Sequence, residues 1–172
     1  MNWEIAFLES LQSIFSGGAL DKTMIFFSSL GNHGFLWIFT ALIMLPFKNW
    51  RKAGVAMLGS LLIGFLVGNL AMKPIIARIR PFESFGDFRL LIAAPTDFSF
   101  PSGHTLSSFA ASVALFFYKR KIGIAAIAIA CVIAFSRLYL FVHYPTDILA
   151  GMAIGICCAF ISRFLVNKIK KL

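Results

Sequence analysis

The sequence predicts an all-α protein, a polytopic transmembrane bundle of about five spans with an amphipathic helix ahead of them, and three observations lead there. Of 172 residues, 59% are hydrophobic and only 13% charged, with a mean hydropathy of +0.86. Soluble domains carry about 25% charged residues, so most of this surface must face lipid. The apolar residues gather into helix-length runs separated by Gly, Pro and charged breaks. The formal net charge is +9, yet the basic residues sit in short clusters between those runs. That placement controls membrane topology and does not form a nucleic-acid face. Residues 1–172 are expected to form a single integral-membrane domain with no separate soluble module.

Residues 1–15 place Trp3, Phe7, Leu8, Leu11, Ile14 and Phe15 near helical spacing, among Glu4, Glu9 and Gln12. The stretch is too short and too polar to cross ~30 Å of hydrocarbon. It also lacks the basic start and small-residue cleavage site of a signal peptide. Residues 1–30 therefore read as an interfacial N-terminal region, broken at Gly17-Gly18 and resumed at Leu20. Gly31-Asn32-His33-Gly34 interrupts the next helix before residues 35–47. Residues 20–47 are thus one kinked span or an interfacial helix plus a short span, and a spanning N-terminal region would raise the count to six. His33, flanked by glycine and without a partner nearby in sequence, reads as structural or interfacial.

The clearer spans are 53–72, 102–118, 122–140 and 146–166. The first carries Gly64 and Gly68 at helix-packing spacing. Cys131, Cys157 and Cys158 lie inside apolar runs, as packing residues and not as a disulfide frame or metal site. Three basic clusters separate the spans: Lys48, Arg51 and Lys52; Lys119, Arg120 and Lys121; and Lys168, Lys170 and Lys171. Alternating the spans puts all three on one face, cytoplasmic by the positive-inside rule, with the amino terminus outside and the carboxyl terminus inside. The same alternation leaves Lys73, Arg78, Arg80, Arg89, His104, Arg137, His143 and Asp147 on the other face. So many cations outside need a cause, and an anionic ligand supplies one.

Three segments hold these groups. Lys73 to Pro81 offers a point charge in Lys73 and a planar fork in Arg80, both suited to phosphate oxygens. Phe100-Pro101-Ser102-Gly103-His104 opens an apolar run with a helix-start signal, free backbone N–H groups and a titratable imidazole. Ser136-Arg137 leads to His143-Tyr144-Pro145-Thr146-Asp147, where Pro145 suits a first helical turn. A carboxylate four residues after His143 can reach one imidazole nitrogen, which leaves the other as nucleophile.

Taken together, Lys-x6-Arg-Pro, Pro-Ser-Gly-His and Ser-Arg-x5-His-x3-Asp resemble the type 2 phosphatidic acid phosphatase (PAP2) superfamily, which also includes vanadium haloperoxidases and bacterial acid phosphatases. The resemblance covers the motif-bearing core, residues 53–155, with no departure inside the motifs. It implies that His143 attacks phosphorus to form a phosphohistidine, that Asp147 orients His143, and that His104 protonates the leaving oxygen and then activates water. Lys73, Arg80, Arg137, Ser102 and the Gly103 N–H would hold the phosphate. Such a cation set implies activity without a metal or other cofactor. Glu83, Asp87 and Asp97 look scattered, with no carboxylate cluster for Mg²⁺.

The loop over residues 82–100 is aromatic and is expected at headgroup level, partly covering the site. The implied partner is a membrane lipid phosphate within the bilayer, at the outer face of a bacterial cytoplasmic membrane, with no obligate protein partner. Undecaprenyl pyrophosphate is the first expectation for substrate. Lipid A 1-phosphate, phosphatidylglycerol phosphate and phosphatidic acid undergo the same chemistry. A non-hydrolytic anionic-lipid binder or transporter is the reading from another class, and it has no need of two histidines backed by Asp147.

Overall fold

A computed structural model describes residues 3–15, 17–84 and 90–169, and among these it is helical with no strand. The order is α1 (Trp3–Phe15), α2 (Gly18–Leu30), a 3₁₀ turn (Asn32–Gly34), α3 (Phe35–Met44) and α4 (Lys48–Gly64). Helix α4 widens into a π-helical stretch (Phe65–Met72) and runs on into α5 (Lys73–Ile76). The short α6 (Pro81–Ser84) precedes α7 (Gly103–Tyr118), α8 (Arg120–Tyr139) and α9 (Pro145–Lys168).

Helix α7 is the hub, packed against α4, α8 and α9. Small residues make this approach feasible: Ala110, Ala111 and Ala114 are fully buried. From α9, a Cβ on Gly151 would lie 2.8 Å from the Ser102 carbonyl oxygen, and one on Gly155 2.6 Å from that of Leu106. Gly64 and Gly68 likewise face the Leu106 side chain. Hydrogen bonds tie the bundle across helices. Ser60 Oγ donates to the Ala110 carbonyl at 3.0 Å, Ser162 Oγ to that of Ala56 at 2.7 Å, and Trp37 Nε1 to Ser108 Oγ at 3.0 Å. In lipid, where apolar surface gains little from pairing with apolar surface, close backbones and such bonds hold helices together. The large side chains left exposed, among them Phe35, Phe39, Leu149, Phe160 and Phe164, form the lipid-facing exterior of a multi-pass membrane protein.

Among the described residues, three helical stretches are long and apolar enough to cross a membrane: residues 48–84, α8 and α9. The α2–α3 pair, bent by 45° at the Gly31–Gly34 break, makes a fourth if it counts as one span. Helix α7, the remaining segment read as a span from sequence, has 16 residues, or about 24 Å at 1.5 Å per residue.

Lys119 Nζ lies 4.5 Å from the Trp50 ring centroid, and Tyr118 Oη donates to Asn167 Oδ1 at 2.9 Å. The start of α4, the α7–α8 junction and the end of α9 therefore share one end of the bundle. With them go Lys48, Lys119 and Lys168 of the three basic clusters; Lys170 and Lys171 lie outside the described residues. The α5 end, the starts of α7 and α9 and the end of α8 meet at the opposite end.

Helix α1, expected as an amphipathic interfacial helix, turns one face to the protein and leaves the other exposed. It docks on the protein through Leu8 and Leu11, which pack among Tyr139, Leu140, Phe141, Val142 and Tyr144. Gln12 Nε2 donates to the Tyr139 carbonyl at 3.0 Å. Glu4 is turned inward, 5% exposed, while Trp3, Phe7 and Ile14 remain outside.

Candidate active site

The eight residues expected to form the site all fall at the end opposite the basic clusters, though not all reach the same cavity. Helix α5 stops at Ala77, whose backbone adopts the left-handed φ of 46° and whose N–H donates to the Lys73 carbonyl at 2.9 Å. Arg78 and Arg80, on either side of Ile79, then reach different partners. Arg80 is buried, donating through Nε to the Asp97 carbonyl at 2.8 Å and through Nη1 to that of Val142 at 2.6 Å. Beyond α8 the chain turns at Phe141, φ 59°, and Pro145 opens α9. That turn holds His143 at 1% exposure and places Asp147, fully buried, one helical turn later.

The two nitrogens of His143 meet different surroundings. Arg80 Nη1, a group that only donates, lies 3.2 Å from Nε2, so Nε2 presents its lone pair there. Nδ1 lies 3.5 Å from Asp147 Oδ2 and 3.5 Å from Ser99 Oγ, which places the ring hydrogen on the carboxylate side. Burial pushes the imidazole well below its usual range, and the Arg80 and Arg137 guanidinium groups push it further, so the ring is neutral. The Asp147 carboxylate is saturated with donors: Ser99 Oγ at 2.5 Å, the Tyr144 N–H at 2.9 Å and Arg78 Nη1 at 2.7 Å.

His143, Lys73, Arg80, Arg137, His104 and Gly103 all line one cavity of about 1020 Å³. From this polar end the cavity runs between α2–α3 and α4 past Ile25, Ile38, Leu58, Leu61 and Phe65. Arg137 Nη1 donates to Ser28 Oγ, and its buried Nε has no hydrogen-bond partner among the described residues. Ser102 and Asp147 are the expected residues outside the cavity lining, Asp147 standing behind His143 and Ser102 at the α7 start. Ser102 is fully buried and caps α7, accepting from the Thr105 N–H at 3.5 Å and Thr105 Oγ1 at 3.0 Å.

Several participants escaped sequence reasoning. Asp97 is not scattered: its carboxylate bridges Lys73 Nζ and Arg80 Nη2, the latter at 2.5 Å. Half-burial pushes the carboxyl up, but Lys73 and Arg80 outweigh that and lower it to about 2, so it is ionised at neutral pH. An internal anion thus sits on two of the three candidate phosphate cations. The Gly31–Gly34 break also belongs to the site. Asn32 Oδ1 lies 3.0 Å from His104 Nε2, and a Cβ on Gly31 would come within 2.6 Å of the same ring. His33, at φ 51°, lines the cavity as well. Ser99 on Asp147 completes the set; Arg78, placed on this face from sequence without a role, also bonds Asp147, while Asp87 and Arg89 lie outside the described residues.

Comparison with known proteins agrees with this arrangement. The profile of the PAP2 superfamily matches residues 50–171. The undecaprenyl-diphosphatase of Sulfolobus acidocaldarius is 35% identical over 144 residues, covering 83% of this chain and 69% of that protein. Undecaprenyl-diphosphatase BcrC of Bacillus subtilis is 30% identical over 146 residues, covering 83% of this chain and 72% of its own. The crystal structure of a transmembrane PAP2 type phosphatidylglycerolphosphate phosphatase from Bacillus subtilis superposes with a TM-score of 0.78 at 25% identity, over 100% of this chain and 90% of that one. With the three motif segments gathered at one end of the bundle and the family match spanning most of its length, the chain belongs to the PAP2 superfamily.

Proposed function

We propose that the chain, acting as one membrane domain, is a lipid phosphatase that removes a terminal phosphate or pyrophosphate group from an amphiphile, with undecaprenyl pyrophosphate the first candidate. One observation carries it: His143 lines a cavity with three cations, holds Nε2 beside Arg80 Nη1 and turns Nδ1 toward a buried carboxylate. In the proposed reaction Nε2 attacks the terminal phosphorus, the bond to the leaving oxygen breaks, and His104 gives that oxygen a proton. His104 then takes a proton from water, whose oxygen attacks the phosphohistidine and releases phosphate and His143. Lys73, Arg80 and Arg137 stabilise the charge on the non-bridging oxygens, so no metal is needed. Gly103 adds its N–H at the α7 start, with Ser102 shaping that turn. The apolar length of the cavity suits a lipid chain, and the names of the undecaprenyl-diphosphatases at 35% and 30% identity support the polyprenyl candidate. A bacterial cytoplasmic-membrane location, with the site facing outward, is supported by the basic clusters at the other end.

The test is phosphate release by detergent-purified protein with chelator present throughout, on undecaprenyl pyrophosphate, lipid A, phosphatidylglycerol phosphate and phosphatidic acid. Release that persists under chelation is expected, fastest on the pyrophosphate. Loss on chelation would remove the metal-free mechanism, and no release from any lipid would favour a non-hydrolytic anionic-lipid binder. Right-side-out vesicles given a short-chain, membrane-impermeant substrate test the orientation; release only after permeabilisation would reverse it.

Asp97 has a measurable consequence. Incoming phosphate must displace its carboxylate from Lys73 and Arg80, so apparent anion affinity is reduced by the fraction of sites so occupied. Asp97→Asn is expected to tighten inhibition by orthovanadate about tenfold. Weaker inhibition would mean that the carboxylate holds the cations in place for phosphate and does not compete with it.

A further inference from the structure

Between Ser60 and Lys73 the chain carries one polar side chain, Asn69, in an otherwise apolar run. Polar residues in membrane-spanning helices commonly serve as glue, hydrogen-bonding to a neighbouring helix. Ser60, Ser162 and Trp37 make bonds of that kind, to Ala110, Ala56 and Ser108. Asn69 makes none: its half-buried side-chain amide has no hydrogen-bond partner among the described residues. Packing of the bundle therefore gives no reason for it.

Its placement does. Leu61, Phe65, Asn69 and Lys73 follow one another at four-residue intervals, and all four line the cavity that His143 lines. In an α-helix of about 3.6 residues per turn such a stripe drifts round the axis. The stretch Phe65–Met72 is π-helical, and its wider turns offset that drift, so Asn69 and Lys73 share the cavity face. Along the stripe Asn69 falls where the apolar part of the cavity gives way to its cations. There it meets the start of α7: Oδ1 and Nδ2 lie 3.6 and 3.7 Å from the point a Cβ on Gly103 would occupy. Gly103, the first residue of α7, has no acceptor for its N–H within the helix and none outside it among the described residues. Arg137, 3% exposed, adds the buried Nε that also lacks a partner. Unfilled donors from three parts of the fold thus line one cavity. We propose that Asn69 is a phosphate-binding residue of this site, its Nδ2 donating to a non-bridging oxygen of the substrate's phosphate group beside the Gly103 N–H. This rests on the phosphatase reading. A neutral amide adds a donor for the anion without adding repulsion among Lys73, Arg80 and Arg137.

Asn69→Ala removes the amide and leaves a residue well suited to a helix. Inhibition of phosphate release by orthovanadate, measured on the detergent-purified full chain, is expected to weaken about tenfold, the scale of one hydrogen bond to a charged group. The melting temperature should not fall, because the amide holds nothing in the resting bundle. Unchanged vanadate inhibition would overturn the inference. So would weaker inhibition together with a lower melting temperature, which marks a structural amide. Asn69→Asp repeats the test if Asn69→Ala does not fold. It keeps the size and sets a carboxylate against the anion, so inhibition is expected to weaken further, and inhibition as strong as in wild type would count against the role. Wild-type protein separates the two levels. No phosphate release by wild type from any of the four lipids would sink the phosphatase reading itself, whereas release with equal vanadate inhibition in wild type and variant would sink only the role of Asn69.

Discussion

Replacing His143 by Ala is expected to abolish phosphohistidine formation and lower phosphate release by on the order of 10⁴- to 10⁶-fold, as loss of a nucleophile does elsewhere. The imidazole is the neutral nucleophile that the proposed reaction starts from, and it lines the cavity shared by Lys73, Arg80 and Arg137. The substitution also takes away the ring beside Arg80 Nη1, but Arg80 keeps its bonds to the Asp97 and Val142 carbonyls. The cation set should therefore survive. Orthovanadate binding by the variant, followed by protection against thermal unfolding, checks that the pocket is intact while turnover is lost. Retained turnover would remove His143 as the nucleophile.

Asp147→Asn is expected to lower the rate by about 10⁴-fold, the scale seen when an orienting carboxylate becomes an amide. The structure adds a stability cost. Oδ1 accepts from Arg78 Nη1, while Oδ2 accepts from Ser99 Oγ and the Tyr144 N–H and faces Nδ1 of His143. An amide in either orientation turns its NH₂ toward a donor, while Arg78 keeps its ion pair with Glu4. Unsatisfied buried groups of this kind cost about 1–3 kcal/mol, so the variant should melt at lower temperature while folding to the same structure. Activity is to be measured below that melting point. A variant with native melting temperature and only a few-fold slower turnover would show that Asp147 is an ordinary helix N-terminal acid, favoured there by the dipole alone.

How much of this was legible in the chain varies by residue. The ends of α7, α8 and α9 followed from local signals: Ser102 as a cap, the basic break at 119–121 and Pro145 at a first turn. Lys73, Arg80, His104, Arg137, His143 and Asp147 stood out because charged and titratable groups at membrane depth are costly and so need a purpose. Asp97 did not, because nothing local distinguishes one loop carboxylate from Glu83 or Asp87. Only the fold of the connection into α7 lays it across Lys73 and Arg80. The Gly31–Gly34 break announced a kink, but its contact with His104, 72 positions from Asn32, depends on how α2 packs on α8.

The sequence by itself determined an all-helical membrane bundle, the separation of basic clusters from the polar site, and the phosphate chemistry of three motifs. Those properties reside in composition, periodicity and short spacings, which the membrane reads locally. The tertiary structure decided which charges meet. Glu4 reaches Arg78 across 74 positions and Arg78 reaches Asp147 across 69, pairs that form only once the helices around the turn between α8 and α9 have docked. Buried charges are stable only with partners, and chain separation does not reveal where those partners will lie.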